Sequence, residues 1–455
     1  MQAGLARIEI TPSGPIRMEG MLRAHDSTGV HDPIFAKALV LSNGPQPANA
    51  FAIVALDVCA MSAESCHAIR TLAEKRTGIP FDRIIVAAKH NHSGPATRKP
   101  QDATTSTAKY NHSGPAARDS QNESEKDYVQ SLVQKVVALI EEAAGRLEPA
   151  AIGCASGCEK TISHYRRLLA DDGHVVMNWE SWPAERIVRP LGVIDPEVGV
   201  LKIMSADGKN RLLGVLFNHA GHPNVMSGDN YLISPDYPGR AEVLLEEKGG
   251  GLAIFINGAQ GSMDIDGLRD RDWAGVERVG RALADAVAGT LAAVAPRATV
   301  RLRSGSCRYT VPARKISDEE KNWAEKIVKQ TGGVVKPVAD GVGDDYKATL
   351  FLRLREAQDQ AIDLEQTCLV LDDCAFISFP GELFTEIGQR IKAASPFRHT
   401  YILGLANGNI SYVPTREAIR QGGYEPLVRR ADDSAAEIIE EQSLALLRRV
   451  HGVGV

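Results

Sequence analysis

The spacing of apolar residues alternates along the chain between the two-residue period of strands and the three- to four-residue period of helices. Apolar runs bounded by turn residues predict strands, and amphipathic segments predict helices. We expect strands at residues 5–12, 36–41, 52–56, 84–88 and 212–217, and helices at 62–76, 128–147, 272–293 and 383–394. This alternation is typical of an α/β protein.

The pattern changes near Pro296, where the last helical pattern before it ends. A β-rich stretch at 298–302 follows, then a charged helical stretch from Ser317 and a polar, glycine-rich segment at 332–343. A chain of 455 residues can bury one large core. We therefore expect a single domain over residues 1–455, with a second lobe from about residue 297 as an open alternative.

Residues 96–125 are rich in Ser, Thr, Asn, Gln and Pro, which predicts a mobile loop. This segment repeats the sequence of residues 91–96 at residues 111–116 and so carries a further histidine, His112. The repeat is interpreted as a local duplication without chemistry. The alternative, in which His112 is a lid residue near a site, stays open.

Composition excludes several classes of partner. With 44% hydrophobic residues, 24% charged residues and a net charge of -5, no broad basic face for nucleic acid is expected. No apolar run is long enough for a membrane span, and the N-terminus does not resemble a signal peptide. Seven scattered cysteines favour a reducing compartment. We expect a cytoplasmic protein unless the given sequence lacks a leader, and a homo-oligomer is left open.

His90 and His92 follow the predicted strand at 84–88. Because successive strand residues point to opposite faces, residues two apart share a face, so these two histidines are expected to lie close together and to hold or serve one metal ion. The alternative is a pair of hydrogen-bonded histidines. The His-x-His spacing does not decide between the two.

Three further segments carry residues of the kinds that bind metals. His219 and His222 follow the predicted strand at 212–217, and catalytic groups of α/β proteins gather beyond the carboxyl ends of such strands. Glu382 follows an apolar run that ends in Pro-Gly, although alone it is most simply an acid at a helix N-terminus. Tyr412 alone is most simply a packed ring.

Taken together, these segments resemble the neutral/alkaline non-lysosomal ceramidase family, the zinc-dependent amidohydrolases of sphingolipid metabolism. The resemblance rests on several separated motifs in the same order. They are residues 3–12, residues 28–33, the Lys-His-Asn-His-Ser-Gly-Pro of 89–95, Gly381-Glu382 and Ser411-Tyr412-Val413. It implies a ceramidase-like α/β catalytic domain of mixed sheets with flanking helices, and the sequence ends before the β-sandwich domain that family members append.

The resemblance also implies one zinc ion, Zn²⁺, with an open position for water. Its protein ligands would be His90, His222, Glu382 and Tyr412. Zinc lowers the pKa of its water to about 7 and polarises a carbonyl. His92 would then transfer protons between the attacking water and the leaving amine. Tyr424 would donate a hydrogen bond to the developing oxyanion, with ordinary packing as its alternative role.

Two departures from the family bear on the substrate. Asp264 stands where ceramidases carry a serine, with Ser262 as an open substitute, and it is expected to orient water or bind a polar substrate group. Arg166 and Arg167 could clamp a carboxylate or phosphate, or be solvated surface residues. The prediction is a zinc-dependent hydrolase acting on the amide, less readily the ester, of a small polar N-acyl substrate. The alternatives are a true ceramidase and a catalytically idle zinc-binding scaffold.

Overall fold

A computed structural model of the protein describes residues 1–98, 115–265 and 271–452, without the side chains of residues 115–124. His112 and residues 99–114 of the predicted loop lie outside the described residues. No helix of the described residues is long and apolar enough to cross a membrane.

The described residues form strands β1 to β21 and helices α1 to α10. In chain order the strands span Gln2–Glu9, Gly29–Val30, Phe35–Ser42, Ala50–Leu56, Ile84–Ala88, Glu148–Cys158, Ser163–Tyr165, Arg167–Ala170, Val175–Met177, Ile187–Pro190, Glu197–Ser205, Leu212–His219, Leu232–Ile233, Leu252–Asn257, Met263–Ile265, Leu302–Pro312, Ala361–Leu371, Cys374–Ser378, Glu382–Leu383, His399–Leu403 and Tyr412–Val413. The helices span Ala63–Thr77, Pro115–Gly145, Asp236–Gly249, Trp273–Ala293, Asp318–Thr331, Asp344–Ala357, Thr385–Ala394, Arg416–Gln421, Tyr424–Val428 and Ala435–Gly452.

The largest sheet has eight strands in the order β14-β12-β11-β6-β1-β3-β4-β5. Its central pairs are antiparallel, whereas β12 with β14 and β4 with β5 are parallel. Adjacent strands twist by about 20–25°, so seven steps rotate the two edges by roughly 140–175° relative to each other. The sheet curls far enough that β14 contacts β4 and β5.

A second sheet, β16-β17-β18-β20, packs on one face of the large sheet. Leu39 and Leu41 of the large sheet share a hydrophobic cluster with Leu369, Phe376 and Tyr401 of the second. Helices α1 to α4 cover the opposite face of the large sheet, and α7 and α10 cover the outer face of the second. The result is a four-layer α/β/β/α arrangement, which confirms the predicted class of mixed sheets with flanking helices.

Some predicted boundaries were wrong where long-range pairing decides the structure. The strand expected at 298–302 begins only at Leu302, and the helix expected from residue 128 begins at Pro115, inside the predicted loop. Glu382 is not the first acid of a helix, because β19 pairs in parallel with β21 and α7 begins at Thr385. The second lobe stays a prediction.

Gly199 of β11 provides a test of the packing between the sheets. A Cβ built on Gly199 would lie 2.3 Å from the ring of Tyr401, whose side chain is buried between the two sheets. We expect Gly199→Ala to lower the free energy of unfolding by about 1–3 kcal/mol, because a filled core tolerates an added methyl group poorly. Urea unfolding measures the change.

The matched control is Gly289→Ala on the exposed side of α4, where an added Cβ would meet no atom within 4 Å. That substitution should be neutral or stabilise the protein by up to about 1 kcal/mol, because alanine favours the helix. Equal effects of the two substitutions would contradict the packing between the sheets.

Candidate metal centre

His90 and His92 lie in a tight turn just beyond β5. The strand ends at Ala88, and His90 has a φ of 73°, so strand alternation does not place the two rings as the sequence argument assumed. The turn is held by hydrogen bonds from the backbone N–H groups of His90 and Asn91 to the carbonyl of Val58. The predicted proximity is nevertheless present, because the Nε2 atoms of His90 and His92 are 3.2 Å apart.

Three further side chains reach the same point from distant parts of the chain. His222 follows β12, and its Nε2 atom lies 3.3 Å from Glu382 Oε2 and 3.4 Å from the Tyr412 hydroxyl. His90 Nε2 lies 3.2 Å from the same Glu382 oxygen. Glu382 and Tyr412 are register partners in the β19–β21 pair, which explains why residues thirty positions apart arrive together. The structure therefore brings together all four predicted ligands and His92.

The donor set fits a divalent cation such as zinc. His90 Nδ1 donates to the Cys59 carbonyl at 3.0 Å and His222 Nδ1 donates to the Met263 carbonyl at 2.7 Å. These bonds leave the Nε2 atom of each ring facing Glu382, and a backbone partner on Nδ1 is how proteins orient metal-binding histidines. Glu382 Oε2 is buried without a hydrogen-bond partner among the described residues. His90, His222 and Glu382 form a group with metal-ligand spacing.

The charges of the cluster are set by burial and by its one carboxylate. Burial opposes a charge on His90, but Glu382 outweighs burial and raises the pKa of His90 to about 10. Burial raises the pKa of Glu382, but His90 and His222 outweigh it and hold that pKa well below its usual value. Burial and the adjacent Arg166 lower the pKa of His222 to about 4. A metal ion would therefore displace a proton from His90.

Arg166 and Arg167 are buried, so their interpretation as solvated surface residues was wrong. Arg166 Nε donates to Glu425 at 2.6 Å and Arg167 Nη1 donates to the other oxygen of the same carboxylate at 2.9 Å. Arg166 Nη1 also lies 3.1 Å from His222 Nε2. The two arginines therefore bind the carboxylate of Glu425. Of the two, Arg166 lines the cavity above the cluster and Arg167 does not.

The cavity has a volume of about 50 Å³. Its walls include His90, His92, Glu382, Tyr412, Arg166, Arg98, Tyr424, Trp179, Cys59, Asn224, Asp340 and Gly20. Tyr424 meets Trp179 edge-on at 5.4 Å between ring centroids and Tyr412 at 5.7 Å. Burial raises the pKa of the Tyr424 hydroxyl, which keeps it protonated and able to donate a hydrogen bond. Tyr424 therefore lines the cavity, and its role stays a prediction.

Asp264 is a site candidate that the structure places away from the cavity. Its carboxylate is fully buried, accepts a hydrogen bond from Asn178 Nδ2 at 3.3 Å and from the Ile265 backbone at 2.8 Å, and is not among the described residues that line the cavity. The geometry gives no support to a catalytic or substrate-binding role for Asp264. That role stays a prediction.

Ser262 and His219 are also engaged elsewhere. The Ser262 hydroxyl donates to Glu386 and accepts from the backbone N–H of Thr385, the first residue of α7. His219 hydrogen-bonds Ser163 and the backbone carbonyl of Glu197. Of the four histidines expected at the ends of strands, only His90, His92 and His222 therefore lie together. Neither Ser262 nor His219 lines the cavity in the described part of the chain.

Gly20, Arg98 and Asp340 line the cavity but carry no sequence signal that would have identified them. Gly20 has a φ of 100°, and a Cβ there would lie 2.5 Å from the ring of His92. Arg98 pairs with the fully buried carboxylate of Glu19 at 2.7 Å. All three lie outside strands and helices, so only the tertiary structure places them at the site.

A model of the neutral/alkaline non-lysosomal ceramidase family, N-terminal, matches residues 2–258, more than half of the chain. The fold and this match define a ceramidase-type hydrolase. The chain belongs to the neutral/alkaline non-lysosomal ceramidase family.

Solved structures have the same fold. The neutral ceramidase from Pseudomonas aeruginosa is 20% identical with a TM-score of 0.70, and the match covers 99% of this chain and 75% of that one. A structure described as a ceramidase complexed with C2 is 18% identical with a TM-score of 0.71 over the same shares of the two chains.

Gly20 tests how the His92 ring is held. We expect Gly20→Ala to lower the hydrolytic rate by about 10- to 100-fold, because the added methyl group would displace the ring of His92, which is predicted to transfer protons, and small displacements of a reacting group cost rate steeply. A kinetic assay with metal analysis in parallel measures the effect, and the metal content should stay unchanged. Gly14→Ala is the control, since its Cβ would meet no atom within 4 Å. Full activity of Gly20→Ala would show that the ring position is not critical.

Proposed function

We propose that this protein is a zinc-dependent ceramidase that hydrolyses the amide bond of N-acylsphingosine lipids. The observation that supports the proposal most directly is the convergence of two histidine Nε2 atoms on one buried carboxylate oxygen of Glu382. The family membership supports ceramide as the substrate better than the small polar amide expected from the sequence.

The ion would be held by His90, His222, Glu382 and Tyr412. When bound, zinc supplies a Lewis acid for the amide carbonyl and a water molecule that ionises near neutral pH. The other proposed roles, which are orienting the ligands, moving protons and stabilising charge, fall to residues of the chain. The backbone carbonyls of Cys59 and Met263 hold the two ligand imidazoles in the required tautomer.

His92 is proposed to move the protons. Its Nδ1 is buried without a partner among the described residues, and its ring lines the cavity. Burial and the neighbouring His90 lower the pKa of His92 well below its usual value, so the ring is neutral and can accept a proton from water. The same ring can then protonate the leaving amine.

Arg166 and Tyr424 are proposed to stabilise negative charge on the substrate carbonyl oxygen. Both side chains line the cavity, and both carry hydrogen-bond donors. Because Glu425 fixes Arg166 in place, its guanidinium group needs no reorganisation as charge develops.

Two of the features that favoured a polar substrate, Asp264 and the Arg166–Arg167 pair, are not free to bind one in the structure. Asp264 is not at the cavity surface, and the guanidinium groups of Arg166 and Arg167 already share Glu425. One observation still favours a more polar substrate as the second candidate. Asp340 lines the cavity and pairs with Arg271 at 3.0 Å, which gives the wall a charged part.

Metal removal tests the proposed centre. We expect His222→Ala to lose most of its zinc and essentially all hydrolysis, because only three of the four proposed protein ligands would remain. Elemental analysis should give about one zinc ion per wild-type chain, the number that one ligand set can hold. Full zinc occupancy in His222→Ala would remove His222 from the ligands.

His92→Ala is the matched comparison within the same cluster. It should keep zinc, while its kcat falls by about 10²- to 10⁴-fold, as is typical when a general acid–base group is lost. A metal-free variant would make His92 a ligand. Zinc binding by the wild-type protein without turnover of any N-acyl compound would instead favour the idle scaffold.

The ratio of kcat/KM for long-chain ceramide over a short polar amide tests the substrate class. We expect a ratio above one that Asp264→Ser leaves unchanged, because Asp264 does not line the cavity. Asp340→Ser should change the ratio, because Asp340 does line it. A wild-type ratio below one that Asp264→Ser raises would restore the prediction of a small polar substrate.

A further inference from the structure

A second pocket, of about 330 Å³, lies beside α6 where β16 ends and β17 begins. Its volume falls in the range of about 300–1,000 Å³ that is usual for small-molecule sites. The apolar part of its wall is formed by Leu350, Leu354, Ile362 and Ile410. This part offers a surface for an alkyl chain.

All the charged residues that line this pocket in the described chain are arginines, namely Arg314, Arg353 and Arg430. Arg314 is 7% exposed, and its backbone N–H donates to the carbonyl of Arg430 at 2.8 Å, so these two arginines lie on adjacent extended segments. Burial, together with the neighbouring Arg429, lowers the pKa of Arg314. The charged side chains of the pocket wall in the described chain are therefore all cations.

Arg353 reaches the same region from α6. It lines the pocket together with Arg430. Arg314 pairs with Glu320 at 2.7 Å, whereas no ion pair joins Arg353 to any carboxylate in the described ranges. Arg353 is thus the cation best able to receive a ligand.

The composition of this pocket differs from that of a comparably large one. A pocket of about 350 Å³ beside α3 carries charges of both signs, with Arg7 and Lys37 close to Asp32, Glu246 and Glu277. Charges of both signs can satisfy one another without a ligand, as the pair of Lys37 with Glu246 does. The pocket beside α6 has cations and apolar surface and, in the described chain, no acidic wall residue.

We propose that the pocket beside α6 binds a single-chain amphipathic carboxylate, with the carboxylate at Arg353 and the alkyl chain along Leu350, Leu354 and Ile410. Arginine is suited to this ligand because its fork of N–H donors matches a carboxylate. The site is separate from the metal centre. Among the described residues, none lines both this pocket and the cavity above the candidate metal centre.

Calorimetric titration of the zinc-loaded full chain with dodecanoate tests the proposal, with dodecanol as the uncharged probe. We expect one binding event per chain for this site and much weaker binding of dodecanol. Arg353→Gln should weaken dodecanoate binding by about tenfold or more, because a charge-assisted hydrogen bond is lost. Ala357→Trp, which adds bulk at the pocket wall, should also weaken it.

Lys347→Gln is the matched control, because it removes one positive charge from the same helix at a residue that does not line the pocket. It should bind dodecanoate as the wild type does. Binding that survives Arg353→Gln and Ala357→Trp but disappears in His222→Ala would place the carboxylate at the metal centre and overturn the proposal. Equal binding of dodecanol would also overturn it.

An anionic phospholipid also joins an anionic group to alkyl chains and is therefore a second candidate ligand. Phosphatidylcholine vesicles with and without phosphatidylglycerol distinguish it from the free carboxylate. We expect dodecanoate to bind to the wild-type protein. We expect Arg353→Gln and the wild type to bind equally to each kind of vesicle. Arg353-dependent binding to the anionic vesicles without binding of dodecanoate would contradict the proposed ligand. The proposal does not depend on the ceramidase activity, and calorimetry reports on it even if no substrate is turned over.

Discussion

The metal centre depends on the twist of the eight-stranded sheet. The successive strand pairings show that β5 and β12 run in opposite directions. In a flat sheet, the carboxyl ends of these strands, and with them His90 and His222, would therefore lie at opposite ends of the strands. Six steps of twist at about 20–25° turn one strand by roughly 120–150° relative to the other and return their carboxyl ends to one place. Contact of β14 with β5 closes this curl, and Asn257 at the end of β14 donates to the Lys89 carbonyl at 3.2 Å.

Buried ion pairs fix the turn that carries His90. Lys89, the residue before it, is 1% exposed and pairs with Asp57 at 2.8 Å and with Glu242 at 2.6 Å. Asp57 adjoins Val58, whose carbonyl accepts from the His90 backbone, so one ammonium group ties the ends of β4 and β5 to α3. Removing one partner of such a buried pair typically costs about 3–5 kcal/mol. The strained left-handed backbone of His90 is therefore held by charges outside the site.

The proposed four-ligand set came from the resemblance to the ceramidase family. Local pattern alone placed His90 and His222 beyond the ends of apolar strands and left Glu382 and Tyr412 with simpler interpretations. The reasoning for His90 and His92 was partly wrong, since a turn and not strand alternation brings them together. Gly20 could not be predicted, because its importance lies in a 2.5 Å approach to a ring more than seventy residues away. Asp264 was assigned by alignment to a family motif, and in the structure it accepts a hydrogen bond from Asn178 and is not among the described residues that line the cavity.

The same geometry explains how the proposed metal-binding cluster tolerates a guanidinium group 3.1 Å from His222, one of its proposed ligands. Alone, Arg166 would oppose a metal ion at His222 by like-charge repulsion. Glu425, fully buried between Arg166 and Arg167, offsets part of that charge, and Glu382 supplies the negative charge on the metal side. The positive charge that remains on Arg166 faces the cavity, where a substrate oxyanion would form. The carboxylate that secures Arg166 thus separates two tasks that would otherwise conflict: binding a cation and stabilising an anion.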